Sequence, residues 1–247
     1  RACEARHKGV CGALSPDQLA RLSEHTTKSV HERDRALLDG VATKTDTYAN
    51  ILSGVVKRTK LMPDGRQQIV GLQFAPDLTG RPRTAGLADA SDSDMAANDD
   101  MVAEAATTVR LCSFPKSVLE DMLAESPEME RRLHRQTLAE LEEARTWLLT
   151  LGRKSAAEKL ASFLLLIATN LDPERSSGED VQFELPLKRA DIADFLGLTT
   201  ETISRQMTNL RKRGLIDLVD RRVIHIPDLT ALERASQKDP ARSSNCL

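Results

Sequence analysis

The chain has 247 residues, 40% of them apolar and 29% charged, which suits a globular protein of two domains and excludes a low-complexity or fibrous chain. Its 35 basic and 37 acidic residues leave a net charge of −2, so binding to a polyanion would have to rest on local clustering and not on overall charge. No apolar run reaches membrane-spanning length (SFLLLIA at Ser162–Ala168 is too short) and no signal peptide is visible. A cytoplasmic protein with no membrane partner is expected.

Residues 1–25 read as a cysteine-bearing segment, with Cys3 and Cys11 on either side of His7, followed by a short helix. That helix opens at SPDQL, with Ser15 as cap and Pro16 in the first turn. Residues 26–113 change to short alternating runs between turn signals, a β domain. In ANILSGVVKRTKLMPDGRQQIVGLQFA the Pro-Asp-Gly at 63–65 predicts a hairpin turn. GRPRTAGLADASDSDMAANDD has few strand formers and reads as a mobile loop, after which EAATTVRLCSF resumes as a strand carrying Cys112. The assembly expected is an antiparallel β-roll or jelly roll.

Residues 114–152 are helical, in a short run PKSVLEDMLAES and a long run PEMERRLHRQTLAELEEARTWLLTLG. Thr137, Leu141, Ala144, Leu148 and Leu151 follow a four-three-four-three spacing, the seam of a coiled coil, and predict a homodimer interface. The alternative is that this stripe packs on its own β domain, a purpose that Leu133, Leu138 and Trp147 could serve instead. Residues 153–247 hold a further amphipathic helix over 153–170, the polar linker DPERSSGED, and then RADIADFLGLTTETISRQMTNLRKR.

That last string is a helix-turn-helix. Ile192, Ala193 and Leu196 lie at helical spacing, Gly197 allows the tight turn, and Thr199 or Thr200 can cap the second helix. The second helix presents Thr200, Glu201, Ser204 and Arg205 at its leading end. Arg205 can donate two hydrogen bonds to guanine O6 and N7, and Glu201 can accept from cytosine N4. Glu201 and Arg205 are four apart, share a face and can orient each other. Arg211, Lys212 and Arg213 close the helix where cations suit both phosphate and the helix dipole. GLIDLVDRRVIHIPD then reads as a hairpin turning near Asp220 and Arg221, the wing of a winged helix. Double-stranded DNA with a palindromic operator is the partner implied.

Four cysteines in such a chain rarely mean disulfides. Cys3, Cys11 and Cys112 with His7 could form a zinc site, or Cys112 could be a buried small apolar residue with the N-terminal pair unliganded; an iron–sulfur centre is what the resemblance below implies, and spacing alone does not separate the three. Cys246, in the C-terminal tail, is far from them in chain order.

The order of β-roll, long helix and winged helix resembles the CRP/FNR family of bacterial transcription regulators over nearly the whole chain. The strings LSGVVK, DGRQQIVGLQFAPDLTGRP, EAATTVRLCSFP, LGRKSAAEKLASFLL and GLTTETISR carry the resemblance, and within the family they look most like the FNR/FnrN oxygen sensors. The resemblance implies an α+β fold: a cyclic-nucleotide-binding-like β-roll sensor domain, a dimerisation helix and a C-terminal winged helix-turn-helix. It implies a [4Fe–4S] cluster on Cys3, Cys11 and Cys112, with a fourth cysteine expected three residues before Cys3, ahead of Arg1. It also implies an oxygen-responsive activator that reads inverted repeats of TTGAT through Glu201, Ser204 and Arg205, with RNA polymerase as a further partner. The alternative is a FixK-like regulator that shares the DNA reader and lacks the cluster. The segment FAPDLTGRPRTAG has Arg81 and Arg83 but does not match the family's cyclic-nucleotide cassette, and no histidine stands in an assignable haem-ligand context. No nucleophile–base pair or phosphate loop suggests an enzyme.

Overall fold

Ser15 begins the first helix as the sequence predicts. Its hydroxyl accepts from the Gln18 amide, the Gln18 side chain accepts from the Ser15 amide, and Pro16 fills the first turn of α1 (Pro16–Glu24). These features belong to a computed structural model that describes residues 9–37, 47–80, 101–171, 180–220 and 222–237. The expected loop over 81–100 lies outside them, as do Cys3, His7, Arg81, Arg83, Arg221 and Cys246.

The chain divides into two compact units, 1–141 and 142–247. In the first, a 3-10 turn (Val10–Ala13) and α1 precede β1 (Thr27–His31), β2 (Thr47–Ser53), β3 (Val55–Leu61), β4 (Gln67–Phe74), β5 (Leu78–Gly80), β6 (Met101–Ala105) and β7 (Val109–Pro115). They form two antiparallel sheets, ordered β1-β7-β2-β5 and β4-β3-β6. Alternation along β2 sends Ala49 and Ile51 into a core with Val56, Val109 and Leu111. Tyr48 goes instead to a second cluster with Phe114, Val10, Leu22 and Met129. The β3–β4 hairpin turns at Pro63-Asp64-Gly65 as expected. Gly54, between β2 and β3, has φ +93°, and a Cβ there would stand 2.4 Å from the Thr108 carbonyl oxygen, so only glycine fits. The run expected as one strand, EAATTVRLCSF, is broken: β6 ends at Ala105 and β7 begins at Val109, where Thr107 turns its hydroxyl to the Val55 amide.

The helices α2 (Lys116–Glu125) and α3 (Pro127–Arg153) follow. Arg21 of α1 pairs with Glu125 of α2. The helix expected to begin at Arg153 begins later: α4 spans Ala156–Leu171, because Ser155 and Glu158 form a reciprocal cap that restarts the chain. In the second unit α4 buries Leu160, Phe163, Leu164 and Ile167. Around it are β8 (Val181–Glu184), α5 (Arg189–Leu196), α6 (Thr200–Lys212), β9 (Asp217–Leu218), β10 (Val223–Ile226) and α7 (Leu229–Gln237). Trp147 packs edge-on against Phe195 of α5, ring centroids 4.6 Å apart, so it serves this unit and not the β domain. Leu138 is exposed, whereas Leu133 does pack on the second cluster of the first unit. Among the described residues no helix is long and apolar enough to cross a membrane.

Candidate nucleic-acid interface and cysteine site

Gly197 ends α5 with φ +61°, the left-handed conformation the tight turn needs, and Thr199 caps α6 by accepting from the Thr202 amide at 3.1 Å. Ile203, Met207 and Leu210 fasten the inner face of α6 to the core. The outer face is therefore fixed: Thr200, Glu201, Ser204, Arg205, Thr208, Arg211 and Lys212 are all exposed, and Arg213 follows as the C-cap. Glu201, Arg205, Thr208 and Lys212 succeed one another at four-three-four spacing and make one stripe. Thr208 belongs to the face yet was passed over in the sequence, although its position seven after Glu201 marks it. Glu201 and Arg205 are not joined by an ion pair, contrary to expectation; both heads are in water, where such a pair gains little. The Ser204 hydroxyl donates to the Thr200 carbonyl at 2.9 Å and Thr208 to that of Ser204 at 3.1 Å, so both hydroxyls are engaged by carbonyls of their own helix.

The wing is a three-stranded sheet, β8-β10-β9, one strand more than the expected hairpin. His225 on β10 ties all three strands together, with Nε2 2.7 Å from Asp180 and Nδ1 3.5 Å from Asp217. The Asp180 hydrogen bond, chiefly, raises its basicity above the ordinary histidine value. Arg222 donates to the Leu185 carbonyl at 2.9 Å and holds the wing to the strand that leads into α5.

In the first unit two of the three predicted cysteines meet at one residue. Cys112 on β7 is the ladder partner of Asn50 on β2, and the Asn50 Nδ2 donates to Cys11 Sγ at 3.1 Å. Cys11 and Cys112 are half-buried and not in a disulfide. The 3-10 turn that carries Cys11 rests on the root of α3: Cys11 and Leu133 pack on the cluster containing Met129, and Arg132 donates to the Gly9 carbonyl at 3.3 Å. Among the described residues no three His, Cys, Asp or Glu side chains form a metal-holding group. The donor chemistry still suits an iron–sulfur centre: the Cys11 thiol meets the buried Asn50 amide, whose Oδ1 is unpaired, and Cys112 stands opposite Asn50 in the β2–β7 ladder. The seam residues Thr137, Leu141, Ala144 and Leu148 are exposed on α3 and Leu151 is half-buried; Leu148 is 73% exposed and Leu141 47%.

Residues 158–235 match the family of Crp-like helix-turn-helix domains. The chain is 48% identical over 233 residues to a probable transcriptional activator of Rhizobium leguminosarum bv. viciae, spanning 94% of this chain and 91% of that protein. It is 35% identical to the transcriptional activator protein FnrL of Cereibacter sphaeroides, over 93% of this chain and 88% of the relative. Among solved structures, FixK2 from Bradyrhizobium japonicum superposes with a TM-score of 0.66 at 25% identity, covering 87% of this chain and 98% of that one. These relatives are transcription regulators and not enzymes. With the β-roll, the long helix and the winged helix all in place, the chain belongs to the CRP/FNR family of DNA-binding transcription regulators.

Proposed function

We propose that this chain is an oxygen-responsive transcriptional activator that binds TTGAT-type inverted repeats as a homodimer while an iron–sulfur cluster is intact. In this proposal Cys3, Cys11 and Cys112 hold the [4Fe–4S] cluster together with a fourth cysteine that the family resemblance places ahead of Arg1. The observation that carries the sensing half is that Cys11, packed on the cluster that includes Met129 of α3, meets Asn50, the ladder partner of Cys112. Thiolate-held clusters near a protein surface supply a centre that dioxygen oxidises.

The chain's own residues link that site to DNA. Cys11, once fastened, keeps the Val10–Ala13 turn seated on Met129 and Leu133 and keeps the Gly9 carbonyl on Arg132. The same helix carries the apolar stripe Thr137, Leu141, Ala144, Leu148 and Leu151. A second copy is the occupant its heptad-like spacing fits, because identical stripes meet across a two-fold axis. Two copies hold two α6 helices for two half-sites one turn of DNA apart, about 34 Å. Arg205 then reads guanine and Glu201 cytosine, Ser204 lies beside them, and Thr200, Arg211, Lys212 and Arg213 reach phosphates. RNA polymerase is the partner an activator engages next.

The alternative is a FixK-like regulator without a cluster, favoured by the superposition on FixK2. Iron and sulfide analysis of anaerobically purified protein, with a visible spectrum, decides between them. About four irons per chain support the cluster, and colourless, iron-free protein supports the alternative.

A further inference from the structure

Asn50 is buried, 5% exposed, and polar in a place where polarity needs a reason. Its Oδ1 has no hydrogen-bond partner among the described residues, an unfavourable state for a buried amide. A leucine has the same branched four-atom layout, though it is bulkier, and carries no polar atom to leave unpaired, so filling space does not by itself call for an amide here. Its neighbours on β2 show what apolar residues do here: Tyr48 and Ile51 are both buried in cores. What Asn50 does offer is a donor. Its Nδ2 reaches Cys11 Sγ at 3.1 Å while its backbone sits opposite Cys112 in the β2–β7 ladder.

We propose that Asn50 tunes the oxygen response by hydrogen-bonding to Cys11 Sγ when that sulfur is a thiolate ligand. The inference rests on the cluster reading above. An N–H donor draws charge from a ligating thiolate, raises the reduction potential of the centre and makes it harder to oxidise. The strand fixes the donor: β2 is a central strand of its sheet, so Asn50 cannot swing away as a loop residue would. Asn50 is a positioning residue that acts through Cys11, and it sets how much oxygen the switch tolerates.

The test compares full-length native protein with N50L and N50D, all purified without oxygen. Native protein is expected to hold iron and sulfide, and N50L the same amount. On exposure to air the visible absorption of N50L is expected to bleach several-fold faster, and that of N50D, which also places a negative charge beside the sulfur, faster again. Resonance Raman spectra give a second reading: the iron–thiolate stretch of native protein shifts on transfer to D2O, and this shift is lost in both variants. An N50L protein with native iron content, native bleaching rate and an unchanged D2O shift overturns the inference while leaving the cluster standing. Folded variants that both lack iron make Asn50 a structural support and also overturn it. Iron-free native protein sinks the cluster reading itself, and this inference with it.

Discussion

The guanidinium of Arg132, on the first turns of α3, donates to the carbonyl of Gly9 at 3.3 Å, two residues before Cys11. The same guanidinium lies 3.8 Å from Glu128 within its own helix, and its bond to Gly9 is a directed tether from the long helix to the thiol-bearing turn. A charge-assisted hydrogen bond of this kind contributes about 1.5–3 kcal/mol when both groups are sheltered, and less here because Arg132 is partly in water. Arg132→Ala should therefore loosen the turn without unfolding the β-roll. Hydrogen exchange at residues 10–14 should speed up several-fold while β2 and β7 stay protected; equal exchange in both proteins contradicts the tether.

Two titrating groups predict how stability varies with pH. Burial pushes the Asp77 carboxyl up to about 6, opposed by the Phe74 amide that it accepts from and assisted by the negative charge of Glu140 on α3. A raised acid favours the folded state when protonated, so its contribution is complete below about pH 4 and is lost as pH climbs through about 6. The loss is on the order of 3 kcal/mol at most. His225 is also raised, and its clamp on Asp180 and Asp217 is complete below about pH 6.5 and lost as pH rises beyond it. Urea midpoints should fall from pH 4 to 6 and decline again above neutrality. Asp77→Asn should remove the first decline and leave the second, and His225→Gln should do the reverse.

On the DNA side, Arg205→Ala should cost about 1–3 kcal/mol on the specific operator and much less on scrambled DNA, measured at one fixed salt concentration. Equal loss on both sequences would make Arg205 a phosphate contact. Thr208, on the same stripe one turn further along, offers a methyl that suits thymine, so Thr208→Ser should weaken binding by less than Arg205→Ala.

Leu148 is the most exposed apolar side chain of the α3 stripe. Leu148→Glu should dissociate the dimer and weaken operator binding more than tenfold, because each buried leucine contributes about 1.5–3 kcal/mol and the symmetry counts it twice. Sedimentation that shows the same species in both proteins would remove the seam from the account.

How much of this was legible depends on the range of each signal. The reader helix declared itself because Gly197, Thr199 and the spacing of Ile203, Met207 and Leu210 act within a few residues of one another. α3 did so through sheer length of period. β8 was not read, since four residues carry little pattern and the partner that makes them a strand, β10, lies some forty residues away. α7 was also missed, although its signal was present: Asp228 accepts from the Thr230 and Ala231 amides and starts the helix. The meeting of Cys11, Asn50 and Cys112 is wholly tertiary. Sequence placed the cysteines in separate segments and gave no sign of the amide between them.

In the proposed mechanism oxygen, acting at the thiols, decides whether two reader helices are held for one operator. The most direct test measures operator affinity of a single anaerobic sample of the full-length protein before and after brief aeration, with the visible spectrum and sedimentation recorded alongside. On aeration the colour should bleach, the dimer dissociate and specific affinity fall at least tenfold together. Unchanged affinity in a fully bleached sample, or full affinity in a sample that never held iron, contradicts the mechanism.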